Sequence, residues 1–144
     1  MANATIIDGK ALATSIGLSL TTKTEVLKKQ HGIIPGIGMI LVGDDPASQV
    51  YVRNKTRRAK ELGFSVRDIL LPSQTTEDEL LNQVEILNKD PLIHGFLVQL
   101  PLPENINSDL ILDSIDPNKD ADGFHVINAG NLILGKSGVV PATP

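Results

Sequence analysis

The chain has no cysteine and no tryptophan, and only one tyrosine and three phenylalanines. Without cysteine there is no disulfide framework, no thiol nucleophile and no thiolate metal site. With aromatics at 3% of the composition, the core must be aliphatic and any stacking platform for a flat ligand rests on very few rings, Tyr51 the most obvious. Basic residues number 13 against 17 acidic ones, giving a net charge of -4. No dense basic run with interleaved aromatics reverses that balance, which argues against a nucleic-acid partner. No apolar run is long enough to cross a bilayer, and no basic-plus-apolar leader opens the chain. The expectation is a soluble, cytoplasmic protein with no membrane partner.

Several site motifs are missing too. Gly36-Ile37-Gly38 runs into Met39, Ile40 and Leu41, so the dinucleotide fingerprint fails, and no P-loop occurs. His31, His94 and His125 lack metal-ligand spacing, which points to structural roles for all three. Asn118, Asp120, Asp122 and Gly123 fall at positions one, three, five and six of a calcium loop, but position twelve is Ala129 where a bidentate glutamate is needed. No metal site is expected.

What is present is an alternation of strands and helices in 144 residues, one domain's worth of chain. Thr5-Ile6-Ile7 is a short β-prone start. Asp8 then caps a helix over about residues 9–29, with Leu12, Ile16, Leu20 and Leu27 at helical spacing as a covering stripe. The apolar runs 37–42, 64–71 and 93–100 have the length and β-branched content of buried strands. Helices fill the intervals, one opened by Thr76 with Glu79 in a capping-box pattern. Asn107 or Ser108 caps a short helix through Ile115. This order predicts an α/β fold, a parallel sheet with helices on both faces in three layers. Residues 117–144 differ in kind, a loop rich in Asp, Asn and Gly in which only Asn131-Leu132-Ile133-Leu134 resembles an ordered core element.

The stretch from Gly43 to Lys55 is strand, turn, helix, the geometry of a ligand site. Asp44 or Asp45 can cap the helix and Pro46 suits its first turn. With Tyr51 at zero on a helical wheel, Lys55 falls at ~40°, Leu62 at ~20°, Ala59 at ~80° and Val52 at ~100°, while Arg53, Arg57, Arg58, Lys60 and Glu61 take the opposite arc. One lysine therefore sits in the apolar stripe beside the only tyrosine. Either it snorkels from the stripe's edge, or it contacts a ligand or reacts. Burial without a partner can lower a lysine pKa by about 3 to 5 units, which makes a usable base near neutral pH.

Ligands collect at the carboxyl ends of strands in open parallel sheets. Gln99 ends the third strand before Leu100-Pro101-Leu102-Pro103, which cannot continue a ladder. It is either the point where the strand surfaces or a neutral amide that positions Lys55 or a ligand. In Asp120-Ala121-Asp122-Gly123, the carboxylates either cap their own backbone or one of them, Asp122, faces paired N–H donors on a ligand.

Taken together, Val42-Gly43-Asp44-Asp45-Pro46-Ala47-Ser48-Gln49 with Tyr51, Val52 and Lys55, then Gln99-Leu100-Pro101-Leu102-Pro103, then Lys119-Asp120-Ala121-Asp122-Gly123-Phe124-His125 with Asn128 and Gly130, then Pro141-Ala142-Thr143-Pro144, closely resemble one family. It is the FolD-type bifunctional methylenetetrahydrofolate dehydrogenase/methenyltetrahydrofolate cyclohydrolase family. The resemblance covers essentially the whole chain, but only the N-terminal catalytic domain of the family. It implies a further Rossmann domain that binds NADP, so no cofactor-binding residue is expected here. It also implies a homodimer for the intact enzyme.

The resemblance implies Lys55 as the catalytic lysine, Gln99 as its modulator and Asp122 as the partner of the pterin edge. Tyr51 would stack on the folate, with Ser48, Val98, Leu100 and Pro101 as further substrate contacts. The implied chemistry is oxidation of 5,10-methylenetetrahydrofolate to the methenyl form and its hydrolysis to 10-formyltetrahydrofolate, steps of one-carbon metabolism that feed purine biosynthesis. Because the methenyl carbon is cationic, a charged lysine beside it would be repelled, which favours neutral Lys55. The family usually carries cysteine where this chain has Ala142. An isolated folate-binding module without dehydrogenase activity is the alternative, since the cleft lacks the wall that the second domain supplies.

Overall fold

The structure, a computed structural model, describes residues 6–142. The elements run α1 (Gly9–His31), β1 (Gly36–Val42), α2 (Pro46–Glu61), β2 (Ser65–Leu71), α3 (Glu77–Lys89), β3 (Gly95–Val98), α4 (Ser108–Asp113) and α5 (Val126–Ile133). The three strands form a parallel sheet in the order β2-β1-β3, with Ile40 opposite both Ile69 and Val98. Parallel neighbours require crossovers, and α2 and α3 supply them.

Alternation along the central strand divides the core between two faces. Ile40 and Val42 point to one side, where Leu80, Val84 and Leu87 of α3 and Ile111 of α4 close over them with Phe96 and Val98. Met39 and Leu41 point to the other, against Val52 and Ala59 of α2 with Leu97. The three-layer α/β architecture is therefore present.

Local chemistry fixes the helix starts. Asp8 accepts the Ala11 amide, Asp45 the Ser48 amide with Pro46 in the first turn, and Thr76 and Glu79 exchange both bonds of a capping box. Asn107, rather than Ser108, caps α4.

Several expectations change, the simplest being that α4 ends at Asp113 and not at Ile115. β3 stops at Val98 instead of Leu100, because the Gln99 amide makes its last ladder bond to Ile40 and the prolines follow. The α1 stripe is not a covering face: Leu12 and Ile16 are exposed, and the helix makes its close contacts through Gly17 and Thr24, against Arg58, Leu62 and Gly63 at the end of α2. Asn131 to Leu134 does not enter the core. It ends α5, with Ile133 85% exposed, and what anchors that helix is the buried side chain of Asn128. Thr5 of the predicted first strand lies outside the described residues, as do Thr143 and Pro144, and Ile6 and Ile7 belong to no strand.

Candidate functional site

On α2 the buried residues are Ser48, Val52, Thr56 and Ala59. That face centres near Val52, so Tyr51 and Lys55 stand at its margin rather than in its middle. Tyr51 is 62% exposed. The expected stripe and the buried face overlap at Ala59 and Val52, but Lys55 lies at the edge of that face and not inside it. At the margin the two side chains overhang the carboxyl ends of the strands, where Gln99 emerges from β3.

A fourth strand-like segment lies beside β3. The Phe96 amide donates to the Lys119 carbonyl and the Ala121 amide to the Phe96 carbonyl, a parallel bridge of Phe96 with Asp120. Asp122 therefore also follows a strand end. Lys55, Gln99 and Asp122, widely separated in sequence, meet here. Lys55 Nζ lies 3.3 Å from Gln99 Oε1 and 3.7 Å from Asp122 Oδ2. The second separation is an ion pair without a hydrogen bond. Both side chains are about a third exposed, 36% and 29%.

A cleft of about 300 Å³ opens over this group, lined by Tyr51, Lys55, Gln99, Leu100, Asp122, Phe124 and Ala142. Burial pushes the Asp122 carboxyl above its ordinary value; the Lys55 charge opposes that, and repulsion from Asp120 reinforces it. A larger recess of about 750 Å³ lies between α2 and the exposed Leu70 of β2, but it holds none of the three converging side chains. Convergent polar groups, not size, make the smaller cleft the candidate site.

Of the other predicted contacts, Leu100 lines the cleft and begins a cis peptide to Pro101. Ser48 and Val98 are buried, the latter in the core against α3 and α4, and Pro101 is exposed outside the lining. Phe124 was missed as a site residue. Its signal was available: it is one of the few aromatics, and it stands two residues from Asp122. His94 and His125 make structural contacts, His94 Nδ1 accepting the Gly36 amide and His125 Nδ1 the Ile127 amide at the start of α5. Among the described residues no group of histidines and carboxylates could hold a metal ion, and no helix is long and apolar enough to cross a membrane.

Residues 7–122 match the family model described as tetrahydrofolate dehydrogenase/cyclohydrolase, catalytic domain. The chain belongs to this family. It is 54% identical over 139 residues to the bifunctional protein FolD of Streptococcus mutans, covering 96% of this chain and 49% of that protein. The chain thus spans about half the length of the curated relatives it matches. The crystal structure of the Campylobacter jejuni bifunctional methylenetetrahydrofolate dehydrogenase/cyclohydrolase superposes with a TM-score of 0.94 at 48% identity, over 97% of this chain and 50% of that one. The Trypanosoma brucei dehydrogenase-cyclohydrolase, whose structure is a complex with NADP and an inhibitor, gives 0.90 at 37% identity, over 98% and 48%.

Proposed function

We propose that this chain is the folate-binding, proton-transferring half of a methylenetetrahydrofolate dehydrogenase/cyclohydrolase, acting in one-carbon metabolism. The intact protein would oxidise 5,10-methylenetetrahydrofolate to the methenyl form with NADP and hydrolyse that to 10-formyltetrahydrofolate, a formyl donor of the kind purine synthesis consumes. The observation that carries this reading is the convergence of Lys55, Gln99 and Asp122 in one cleft under Tyr51.

In the hydrolytic step, water adds to the cationic methenyl carbon and loses a proton as the C–O bond forms. Lys55 Nζ receives that proton and returns it to the departing ring nitrogen as the C–N bond breaks. Such proton transfer contributes typically 10²- to 10⁴-fold. Arrival of a cationic substrate disfavours a second positive charge beside it, which favours the neutral amine at the moment it is needed. Gln99 holds the amine without adding charge. Asp122 and the ring of Tyr51 suit the N–H edge and the face of a pterin, and Ser48, Val98, Leu100 and Pro101 frame the strand ends behind them.

The residues present do not suit NADP. The helix start after β1, where a dinucleotide phosphate would sit, is occupied by Asp45, whose Oδ2 accepts the Ser48 amide at 2.7 Å. That contact holds the Asp45 carboxyl below its ordinary value, so the position is anionic at neutral pH. No step through the dinucleotide is assigned to this chain. Both readings expect this of the present half, because the resemblance assigns NADP to the other domain. The homodimer and a cytoplasmic location belong to the proposal for the intact protein.

The test is Lys55→Met in a chain with both halves present, as the relatives carry it. Loss of methenyl hydrolysis with folate binding retained is expected; full hydrolysis would remove Lys55 from the mechanism. Mixing the 144-residue chain with NADP and methylenetetrahydrofolate should give no NADPH absorbance, and its appearance would exclude the module reading.

A further inference from the structure

One buried carboxylate has no part in the chemistry above. Asp120 is only 3% exposed, and its oxygens collect three neutral donors. Oδ1 accepts the Gly123 amide at 2.9 Å, and Oδ2 accepts the His125 amide and Asn128 Nδ2, both at 2.9 Å. Three N–H groups converging on one side chain suit a group that only accepts. An asparagine of the same shape would turn its own N–H groups toward at least one of these donors.

The three bonds span the turn that carries the site. Asp122 and Phe124 lie between the bonded residues, so their positions follow from where Gly123 and His125 are held. Gly123 has φ +72°, and a Cβ there would stand 2.9 Å from the Pro141 nitrogen, so the turn is also backed closely by that segment. Asn128 completes the link: its Nδ2 also donates to the Pro117 carbonyl, and its Oδ1 accepts the Val139 amide at 3.4 Å. Ala142, three residues on, lines the cleft.

We infer that Asp120 is a positioning residue: its carboxylate sets where Asp122 and Phe124 stand relative to Lys55, and through Asn128 it ties that turn to residues 139–142. Buried networks of this kind fix geometry because any unsatisfied member is costly. Asp120 also acts on Asp122 by charge. The charged groups facing Asp122 are Lys55 from α2, which favours its ionised form, and Asp120 from its own turn, which opposes it.

Asp120→Asn tests this by two measurements, only the second of which depends on the folate proposal. The first is titration of the Asp122 carboxyl carbon by NMR in the ligand-free chain. Removing the neighbouring negative charge should move its midpoint down, and the Gly123 and His125 amides should lose protection from hydrogen exchange. The second is calorimetric binding of 5-formyltetrahydrofolate, whose affinity should fall about tenfold, 1.4 kcal/mol. Unchanged protection of the Gly123 and His125 amides in a variant that melts like the wild type overturns the inference, whatever the affinity and the Asp122 midpoint do. Wild-type chain that binds no folate counts against the proposed function and leaves amide exchange at Gly123 and His125 to decide the role of Asp120. Should the variant not fold, exchange in the wild type decides: protected Gly123 and His125 amides support the inference, and fast exchange at both overturns it.

Discussion

The side-chain oxygen of Gln99 faces Lys55 Nζ at 3.3 Å because the other end of the same amide is held, its Nε2 donating to the Leu100 carbonyl at 2.7 Å. The orientation is thus set by the backbone at the end of β3. Gln99→Glu would put an oxygen against that carbonyl and a second carboxylate, after Asp122, beside the lysine. Two anions hold the amine in its charged form, in which it accepts no proton. In the chain with both halves present, methenyl hydrolysis should fall by about 10²-fold, the lower range of a lost general base. A stopped-flow record of methenyl absorbance reads this, and wild-type turnover would show that the neutrality of Gln99 is irrelevant.

Asp122 gives the stability a particular pH dependence. Its folded-state carboxyl is raised above the ordinary aspartate value, chiefly by burial. Between the ordinary and the raised value, the folded chain binds more protons than the unfolded one, so stability falls as pH rises through that window. Above it the penalty is complete. Asp122→Asn cannot titrate, so its stability minus that of the wild type should grow from acid pH toward neutrality and then level. Urea unfolding of both proteins at a series of pH values measures the difference; a difference that shrinks with rising pH would mean that the ion pair with Lys55 outweighs burial.

Tyr51 rests at the edge of α2 with most of its ring in solvent, so truncation should leave the fold intact. Its expected contribution is to the ligand: a stacked aromatic contributes about 0.5–1.5 kcal/mol beyond area burial. Tyr51→Ala should weaken 5-formyltetrahydrofolate binding about tenfold, and Tyr51→Phe should not. Equal loss in both variants would assign the effect to the hydroxyl.

How much of this was legible in the sequence depended on whether the determinant was local. Capping at Asp8 and Thr76, the apolar run of β1 and the sharing of one helix face by Tyr51 and Lys55 are set within a few residues and could be read directly, while the caps of α2 and α4 could be narrowed to Asp44 or Asp45 and to Asn107 or Ser108. The pairing of Phe96 with Asp120 is not local. Nothing in Asp120-Ala121-Asp122 shows that the turn, besides capping itself through Asp120, docks beside β3, and only that docking brings Asp122 to Lys55. The α1 stripe misled for a related reason. Helical periodicity shows which residues share a face, whereas Gly17 and Thr24 won the contact by allowing close approach to α2.

Thr56 illustrates the same limit and can be tested by stability. Its residue type marks no special role, yet it is buried on α2, where its hydroxyl donates to Asp68 Oδ1 at 2.7 Å and lies 3.5 Å from Met39 Sδ. It joins α2 to the edge strand β2 on the sheet face that carries Met39 and Leu41. Thr56→Val keeps the volume and deletes the donor. Because Asp68 is exposed, water can replace the lost hydroxyl, so the cost should be that of one net hydrogen bond, about 0.5–1.5 kcal/mol, and not the larger penalty of a stranded buried carboxylate. Asp68→Ala should cost at least as much, since it leaves the buried hydroxyl with only the sulfur as a weak acceptor. The double variant should lose less than the sum of the two single losses if the bond couples them. Additive losses in urea unfolding would mean that the 2.7 Å contact contributes nothing to holding α2 on the sheet.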